Sequence, residues 1–216
     1  MKRAPSGGAP VPGILAFLDA AYPDARILLD FRNPFELLVA TVLSAQCTDD
    51  RVNQVTPALF AKWPDAAKLA AATQEAVEDA VRSTGFYRNK AKAIRELAAA
   101  LLSRHAGNVP GDLAALTGLP GVGRKTASVV LGGCFGVPSL PVDTHVARVS
   151  FRLGLTASKD PERIEQDLAA AIPEDRWWEF TTRLGWHGRR VCVARKPRCE
   201  ACGLDSLCPK NGVVRT

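Results

Sequence analysis

The chain is 216 residues long and 47% hydrophobic, enough for one large domain or two small ones with real cores, and its formal charge of +6 favours a polyanionic partner such as nucleic acid. No apolar run reaches membrane-spanning length and the N-terminus lacks the hydrophobic core of a secretory signal, so a membrane-embedded or exported protein is not expected. In a reducing cytoplasm the six cysteines argue for metal or cluster ligation rather than a disulfide framework.

In chain order, Met1 to Pro12 is rich in Pro, Gly and small residues and predicts a flexible tail. Ile14 to Tyr22 places Ile14, Leu15, Leu18 and Ala21 on one face of a short amphipathic helix. Asn33-Pro34-Phe35-Glu36 is a helix start: Asn33 can cap, Pro34 suits the first position and Glu36 sits at the third. The helix that follows, Phe35 to about Ser44, is apolar nearly all round and predicts burial. It runs into Ser44-Ala45-Gln46-Cys47-Thr48-Asp49, where polar groups appear abruptly. Read alone, this is either a loop and the Thr48/Asp49 cap of the next helix, or a working loop.

Helical stripes continue without a convincing strand. Val52, Val55, Leu59 and Phe60 form one; Val77 and Val81 form another, starting after Thr73 and ending at Gly85; Ile94, Leu97, Leu101 and Leu102 form a third, ending at Gly107. Between the last two, Thr84-Gly85-Phe86-Tyr87 offers either core aromatics behind a helix cap or an exposed apolar wedge. Leu113 to Leu131 is the stretch that organises the rest. Two apolar helical runs flank Pro120-Gly121-Val122-Gly123, where proline stops the first run and the glycines allow a tight reversal. The second helix carries Ala127, Val130 and Leu131 inward, with Arg124 and Lys125 in its first turn. Backbone N–H groups, the positive end of a helix dipole and glycines that admit close approach together make a phosphate site. By itself the stretch is also compatible with a plain helix–loop–helix corner, and Lys125 with a phosphate contact like Arg124.

Gly132-Gly133-Cys134-Phe135-Gly136-Val137-Pro138 is a breaker cluster and the expected domain joint. Asp143-Thr144 then caps a helix with Val146, Val149 and Leu153 in register; Asp160-Pro161 starts one with Ile164, Leu168 and Ile172; a third carries Trp177, Phe180 and Leu184. Cys192, Cys199, Cys202 and Cys208 are thiolate ligands by their C-x6-C-x2-C-x5-C spacing, which alone leaves zinc and an iron–sulfur cluster both open. No acidic residue lies between Phe180 and Cys199, and the loop from Cys192 to Cys199 projects Arg195, Lys196 and Arg198 as a basic knuckle for phosphates. Cys47 and Cys134 fall outside the pattern and are expected as plain buried thiols.

Taken together, the hairpin with its lysine, the Val142-Asp143-Thr144-His145-Val146 segment and the cysteine spacing resemble the endonuclease III family of helix-hairpin-helix DNA repair glycosylases, from about Phe35 to Cys208. The resemblance implies an all-α fold in two domains. A six-helix domain would span 27–137 and contain the hairpin at 113–131. An iron–sulfur cluster domain would be assembled from 13–26 and 138–216, with 1–12 as the tail. It also implies a bifunctional glycosylase and abasic-site lyase acting on oxidised or saturated pyrimidines in double-stranded DNA, a monomer of the cytoplasm and nucleoid.

Residue by residue, the resemblance makes Lys125 the amine that attacks the sugar C1′ and forms a Schiff base. Asp143 becomes the carboxylate that stabilises positive charge on the sugar and handles the lysine proton. Cys192, Cys199, Cys202 and Cys208 take a 4Fe–4S cluster that stays outside the chemistry. Gln46, inside a match to the family's Ser-Ala-Gln-x-Thr-Asp signature, fills the stack vacated by the damaged nucleotide. Phe86 is the wedge. Gly121, Gly123 and Arg124 grip the DNA backbone, joined by Arg195, Lys196 and Arg198. His145 stays outside the catalytic set, as a structural or phosphate-facing residue.

Two departures from the family pattern, Ser128 in place of the commoner asparagine and Phe86 in place of the frequent leucine, leave the reaction intact but blur the damage spectrum. A monofunctional mismatch glycosylase would share hairpin, aspartate and cluster; the adenine type typically lacks the lysine and carries an extra C-terminal domain. A non-catalytic DNA-binding module would have no need for a carboxylate beside its phosphate grip.

Overall fold

The computed structural model describes residues 9–213, and every regular element among them is helical. The chain divides into two units, Ile27–Val137 and a discontinuous one made of Met1–Arg26 and Pro138–Thr216. Helix α1 (Val11–Ala21) belongs to the discontinuous unit. Helices α2 (Pro34–Leu43), α3 (Asp49–Lys62), α4 (Ala66–Ala71), α5 (Gln74–Val81), α6 (Tyr87–His105), α7 (Leu113–Thr117) and α8 (Arg124–Phe135) build the central one. Helices α9 (Thr144–Arg152), α10 (Pro161–Ala171) and α11 (Trp177–Arg190) return to the first unit.

Helix α2 is the axis of the central core. Phe35 through Leu43 are all buried, as a helix apolar all round requires. Its start follows the capping grammar: Asn33 Oδ1 accepts from the Glu36 N–H at 2.9 Å. Glu36 is itself buried, and it accepts from the Arg32 N–H at 2.7 Å and from the Arg32 guanidinium at 2.6 Å. Val52, Leu59 and Phe60 of α3, Val77 and Val81 of α5, and Ile94, Leu97 and Leu101 of α6 close around it. Leu102 turns outward instead, its place in the buried stripe taken by Ala98.

In the discontinuous unit, Ile14 and Leu18 of α1 join Val146 and Val149 of α9, Ile164 and Leu168 of α10, and Phe180 and Leu184 of α11 in a separate core. Asp19 of α1 is held by Arg176 at 2.6 Å and by Arg183.

Two boundaries differ from the sequence reading. Helix α1 begins at Val11, inside the stretch expected as tail, and Ala9 is buried with its N–H donating to the Leu153 carbonyl at 2.9 Å. Pro10 and Pro12 sit where a first turn needs no N–H donor, so proline starts this helix rather than preventing it. The first eight residues of the expected tail lie outside the described residues. Helix α8 runs on through Gly132, Gly133 and Cys134 to Phe135 and stops only at Gly136, which takes a left-handed φ of 64°. A glycine inside a helix costs about 1 kcal/mol, and burial of Ala127 to Leu131 on the same helix offsets it.

Candidate functional site

The turn between α7 and α8 is built by short-range contacts. Asp112 caps α7 by accepting from the Ala115 N–H at 2.8 Å. Gly118 N–H donates to the Ala114 carbonyl at 3.0 Å, Leu119 to Leu116 at 3.1 Å and Val122 to Leu119 at 3.2 Å, so the chain reverses as a series of tight turns. Val122 is buried and pins the loop to the core. Gly121 takes a left-handed φ of 73°, a backbone conformation that residues with a Cβ rarely adopt. Gly123 is the N-cap of α8 in extended conformation and supplies no capping side chain. The first turn of α8 therefore points its N–H groups and positive dipole end along the helix axis beside Gly121 and Gly123, with Arg124 and Lys125 exposed on that turn.

Two more loops of the same unit end in unusual backbone. Gln46, just past α2, is exposed and has a left-handed φ of 52°. Phe86, at the start of α6, has a φ of 48° and is 64% exposed. Its neighbour Tyr87 is half-buried between the guanidinium groups of Arg82 and Arg88, with ring-centroid distances of 5.0 and 5.4 Å. Of the two aromatics, then, Tyr87 packs and Phe86 stands in solvent. Cys47 and Cys134, expected as buried, are both half-buried, and burial pushes the Cys134 thiol up from its ordinary value.

In the discontinuous unit, Asp143 caps α9. Its Oδ1 accepts from the N–H groups of His145 at 2.8 Å and Val146 at 2.7 Å, and its Oδ2 lies 3.5 Å from the Arg189 guanidinium. His145 Nδ1 is 3.2 Å from Arg148, whose guanidinium also donates to the Gly188 carbonyl at 2.9 Å and the Cys192 carbonyl at 3.1 Å. Burial holds the His145 imidazole below its ordinary pKa, and the neighbouring guanidinium groups add to this against the pull of Asp143. Gly188 permits this close packing of α9 on α11, since a Cβ there would lie 2.9 Å from the Cβ of His145.

Cys192, Cys199, Cys202 and Cys208 line a single cavity together with Val149, Leu153, Val191 and Leu204. Buried donors face it. Arg152 Nη1 lies 3.3 Å from the Cys192 sulfur and 2.7 Å from the Val193 carbonyl, its Nη2 donates to the Ala194 carbonyl at 2.9 Å, and the Lys210 N–H donates to the Cys208 sulfur at 3.3 Å. His187 is buried, with Nδ1 at 2.9 Å from the Tyr22 hydroxyl and Nε2 at 3.6 Å from the Cys202 sulfur. Such N–H groups suit thiolate ligands, which accept hydrogen bonds. Arg195, Lys196 and Arg198 are exposed on the loop beside the cavity, Lys196 with a left-handed φ of 51°.

Arg148, Arg152 and His187 were not visible as site residues in the sequence. For His187 a signal existed: it continues the Trp177, Phe180, Leu184 stripe by three residues, so the spacing alone places it on the buried face of α11.

A helical fold carrying a glycine hairpin with a lysine, a capping aspartate and a four-cysteine loop is that of helix-hairpin-helix base excision repair proteins, and the comparisons agree. Residues 39–174 match the model of the HhH-GPD superfamily base excision DNA repair protein family. The chain is 51% identical to the endonuclease III of Synechocystis sp. over 197 residues, 91% of this chain and 90% of that one. A non-covalent endonuclease III–DNA complex and a trapped endonuclease III–DNA covalent intermediate each superpose with a TM-score of 0.89 at 45% identity, covering 93% of this chain and 94% of theirs. The chain belongs to the HhH-GPD superfamily, in its endonuclease III family, and is by that membership a base excision repair DNA glycosylase and abasic-site lyase.

Proposed function

We propose that the chain removes oxidised or saturated pyrimidines from duplex DNA and cleaves the abasic strand by β-elimination, with Lys125 as nucleophile and Asp143 as its carboxylate partner. The observation that carries this reading is an exposed lysine in the first turn of a glycine-capped helix, beside backbone suited to a phosphate. The positive helix end favours the neutral amine. Lys125 Nζ attacks C1′, and the C1′–N bond breaks with its electron pair leaving on the base, which takes up a proton. The sugar ring opens as the C=N bond of the imine forms. Loss of a C2′ proton then expels the 3′ phosphate, and water releases the lysine. Asp143 Oδ1 is committed to its two N–H donors and Oδ2 faces the Arg189 guanidinium at 3.5 Å; by the family resemblance this carboxylate is the group that stabilises the charged sugar and handles the lysine proton.

The four cysteines line one cavity, with the Arg152 guanidinium and the Lys210 N–H donating to two of the sulfurs, and their C-x6-C-x2-C-x5-C spacing, read with the family resemblance, favours a 4Fe–4S cluster there over zinc. Cys192, Cys199, Cys202 and Cys208 would hold the cluster, which supplies a rigid tie for the loop and no step of the excision. Arg195, Lys196 and Arg198 on that loop, with Gly121, Gly123 and Arg124 at the hairpin, bind DNA phosphates. Gln46 and Phe86 enter the duplex around the extruded nucleotide. The protein works as a monomer on nucleoid DNA in the cytoplasm.

The test is a panel of duplexes, each with one lesion: a ring-saturated thymine, an oxidised cytosine, an alkylated purine and a mismatched thymine. Excision with strand cleavage at the first two and neither of the others is expected. Base release from the mismatch without cleavage would replace this reading with a monofunctional one.

A further inference from the structure

Lys90, in the first turn of α6, is only 6% exposed, and its Nζ donates to the Thr84 carbonyl at 2.7 Å. This is an expensive place for an ammonium. Burial disfavours the charge, the positive end of the α6 dipole disfavours it again, and the first turn holds no acidic residue to compensate. Desolvation accordingly lowers its pKa. A leucine or methionine would fill the same space without that cost, so the charge answers to something other than packing.

What the ammonium touches is informative. Thr84 ends the short helical turn before Gly85 and Phe86, whose φ values are 71° and 48°. Two consecutive residues with positive φ, one of them not glycine, are strained and persist only where neighbouring contacts hold them. The Lys90 N–H also donates to the Phe86 carbonyl at 3.0 Å, so one residue grips both sides of the kink. Thr84 Oγ1 turns back onto the Val81 carbonyl at 2.8 Å and completes the frame.

We infer that Lys90 is a positioning residue: its buried ammonium, bonded to the Thr84 carbonyl, holds the Phe86 loop in the pre-formed shape from which that side chain enters the duplex. This rests on the reading of Phe86 given above. Lys90 acts through that loop and not on the reacting atoms. It pre-orders the loop so that its ordering entropy is not lost again when the damaged nucleotide is extruded.

The test uses the full-length protein and a duplex carrying a ring-saturated thymine opposite 2-aminopurine, whose fluorescence reports the loss of stacking. Lys90→Met keeps the length and removes the charge. It should slow single-turnover excision and the fluorescence rise together by roughly tenfold to a hundredfold, the kinetic equivalent of losing a charged hydrogen bond. Borohydride trapping on a ready-made abasic site should change by less than about threefold, because there the extrusion step is already cheap. If Lys90→Met does not fold, Lys90→Gln, which keeps a neutral donor in the slot, should show the same split at smaller size. In a Phe86→Ala background, Lys90→Met should cost little more, since it acts through that residue. A full additional loss in that background, or equal loss on lesion and abasic DNA, would overturn the inference. If Phe86→Ala itself leaves excision unchanged, the reading of Phe86 fails first, whatever Lys90 does.

Discussion

The guanidinium of Arg152 lies 3.3 Å from the sulfur of Cys192 and also donates to the carbonyls of Val193 and Ala194, so one buried side chain fixes the whole entry to the cysteine loop. Arg152 is 7% exposed, and truncation removes all of these bonds at once from a buried position. Arg152→Leu should cost roughly 3 kcal/mol, lowering Tm by about 6–12 °C for a chain of this size. Iron content after purification should fall in parallel. Arg152→Lys keeps the charge but not the planar fork and should recover only part of the loss. Unchanged Tm and iron in Arg152→Leu, measured by thermal melts and metal analysis, would show that the loop holds itself.

The two hairpin glycines should respond differently. Gly121→Ala meets a left-handed φ of 73° and should destabilise by about 1 kcal/mol while weakening duplex binding. Gly123 has ordinary extended backbone, and a Cβ there meets nothing within 4 Å. Gly123→Ala should therefore leave Tm within about 2 °C, yet still weaken binding, because the added methyl stands between the α8 N-terminus and a phosphate. Chemical denaturation and salt-dependent binding isotherms separate the two effects.

His145 gives a pH dependence with a definite sign. Arg148 is always charged and donates to His145 Nδ1, so only the neutral imidazole can accept, and burial adds to the preference. The folded pKa is lowered while the unfolded value stays near 6.5. The unfolded chain thus takes the proton first, and this contribution to stability is complete above pH about 6.5 and fades as the pH falls below it. His145→Asn should flatten that part of the stability–pH curve. A curve from pH 8 to 5 that is identical in wild type and variant would remove His145 as its source.

Much of the architecture follows from local grammar. Asn33, Asp143 and Asp160 all cap the helices that follow them, and the Val146, Val149 stripe of α9 is buried as its spacing requires. What escaped depends on distant partners. Nothing near Arg152 in sequence announces its burial, because its acceptors lie some 40 residues on. Lys90 stands in the basic run from Arg88 to Lys92, which by sequence offers charge for phosphates or a solvated helix start, and only the Thr84 carbonyl 2.7 Å from its Nζ shows it turned inward. Helix α4, Ala66–Ala71, went unread because its alanines carry too little side chain to mark a face, although Asp65 caps it by accepting from the Lys68 N–H at 2.8 Å. The glycine pair in α8 shows the reverse error: a strong breaker signal overridden by the burial of the five residues before it.

Lys125 carries the enzymatic reading, and its test separates it from Asp143. If its amine is the nucleophile, borohydride reduces the imine with an abasic sugar to a permanent protein–DNA cross-link. Lys125→Gln keeps a similar length and a polar end, so binding should survive on Gly121, Gly123 and the α8 N-terminus while cross-link and strand cleavage are lost. Asp143→Asn keeps Oδ1 for the His145 and Val146 N–H groups, so α9 should stay capped. The new amide, however, turns N–H donors toward Arg189, which stands 3.5 Å from Oδ2, and removes the negative charge from the site. Base release should then fall by a hundredfold or more, in the range of a lost electrostatic group. Trapping on a ready-made abasic site should persist in part, because no glycosidic bond remains to break there. Undiminished trapping in Lys125→Gln, read on a denaturing gel, would transfer the nucleophile's role to another amine.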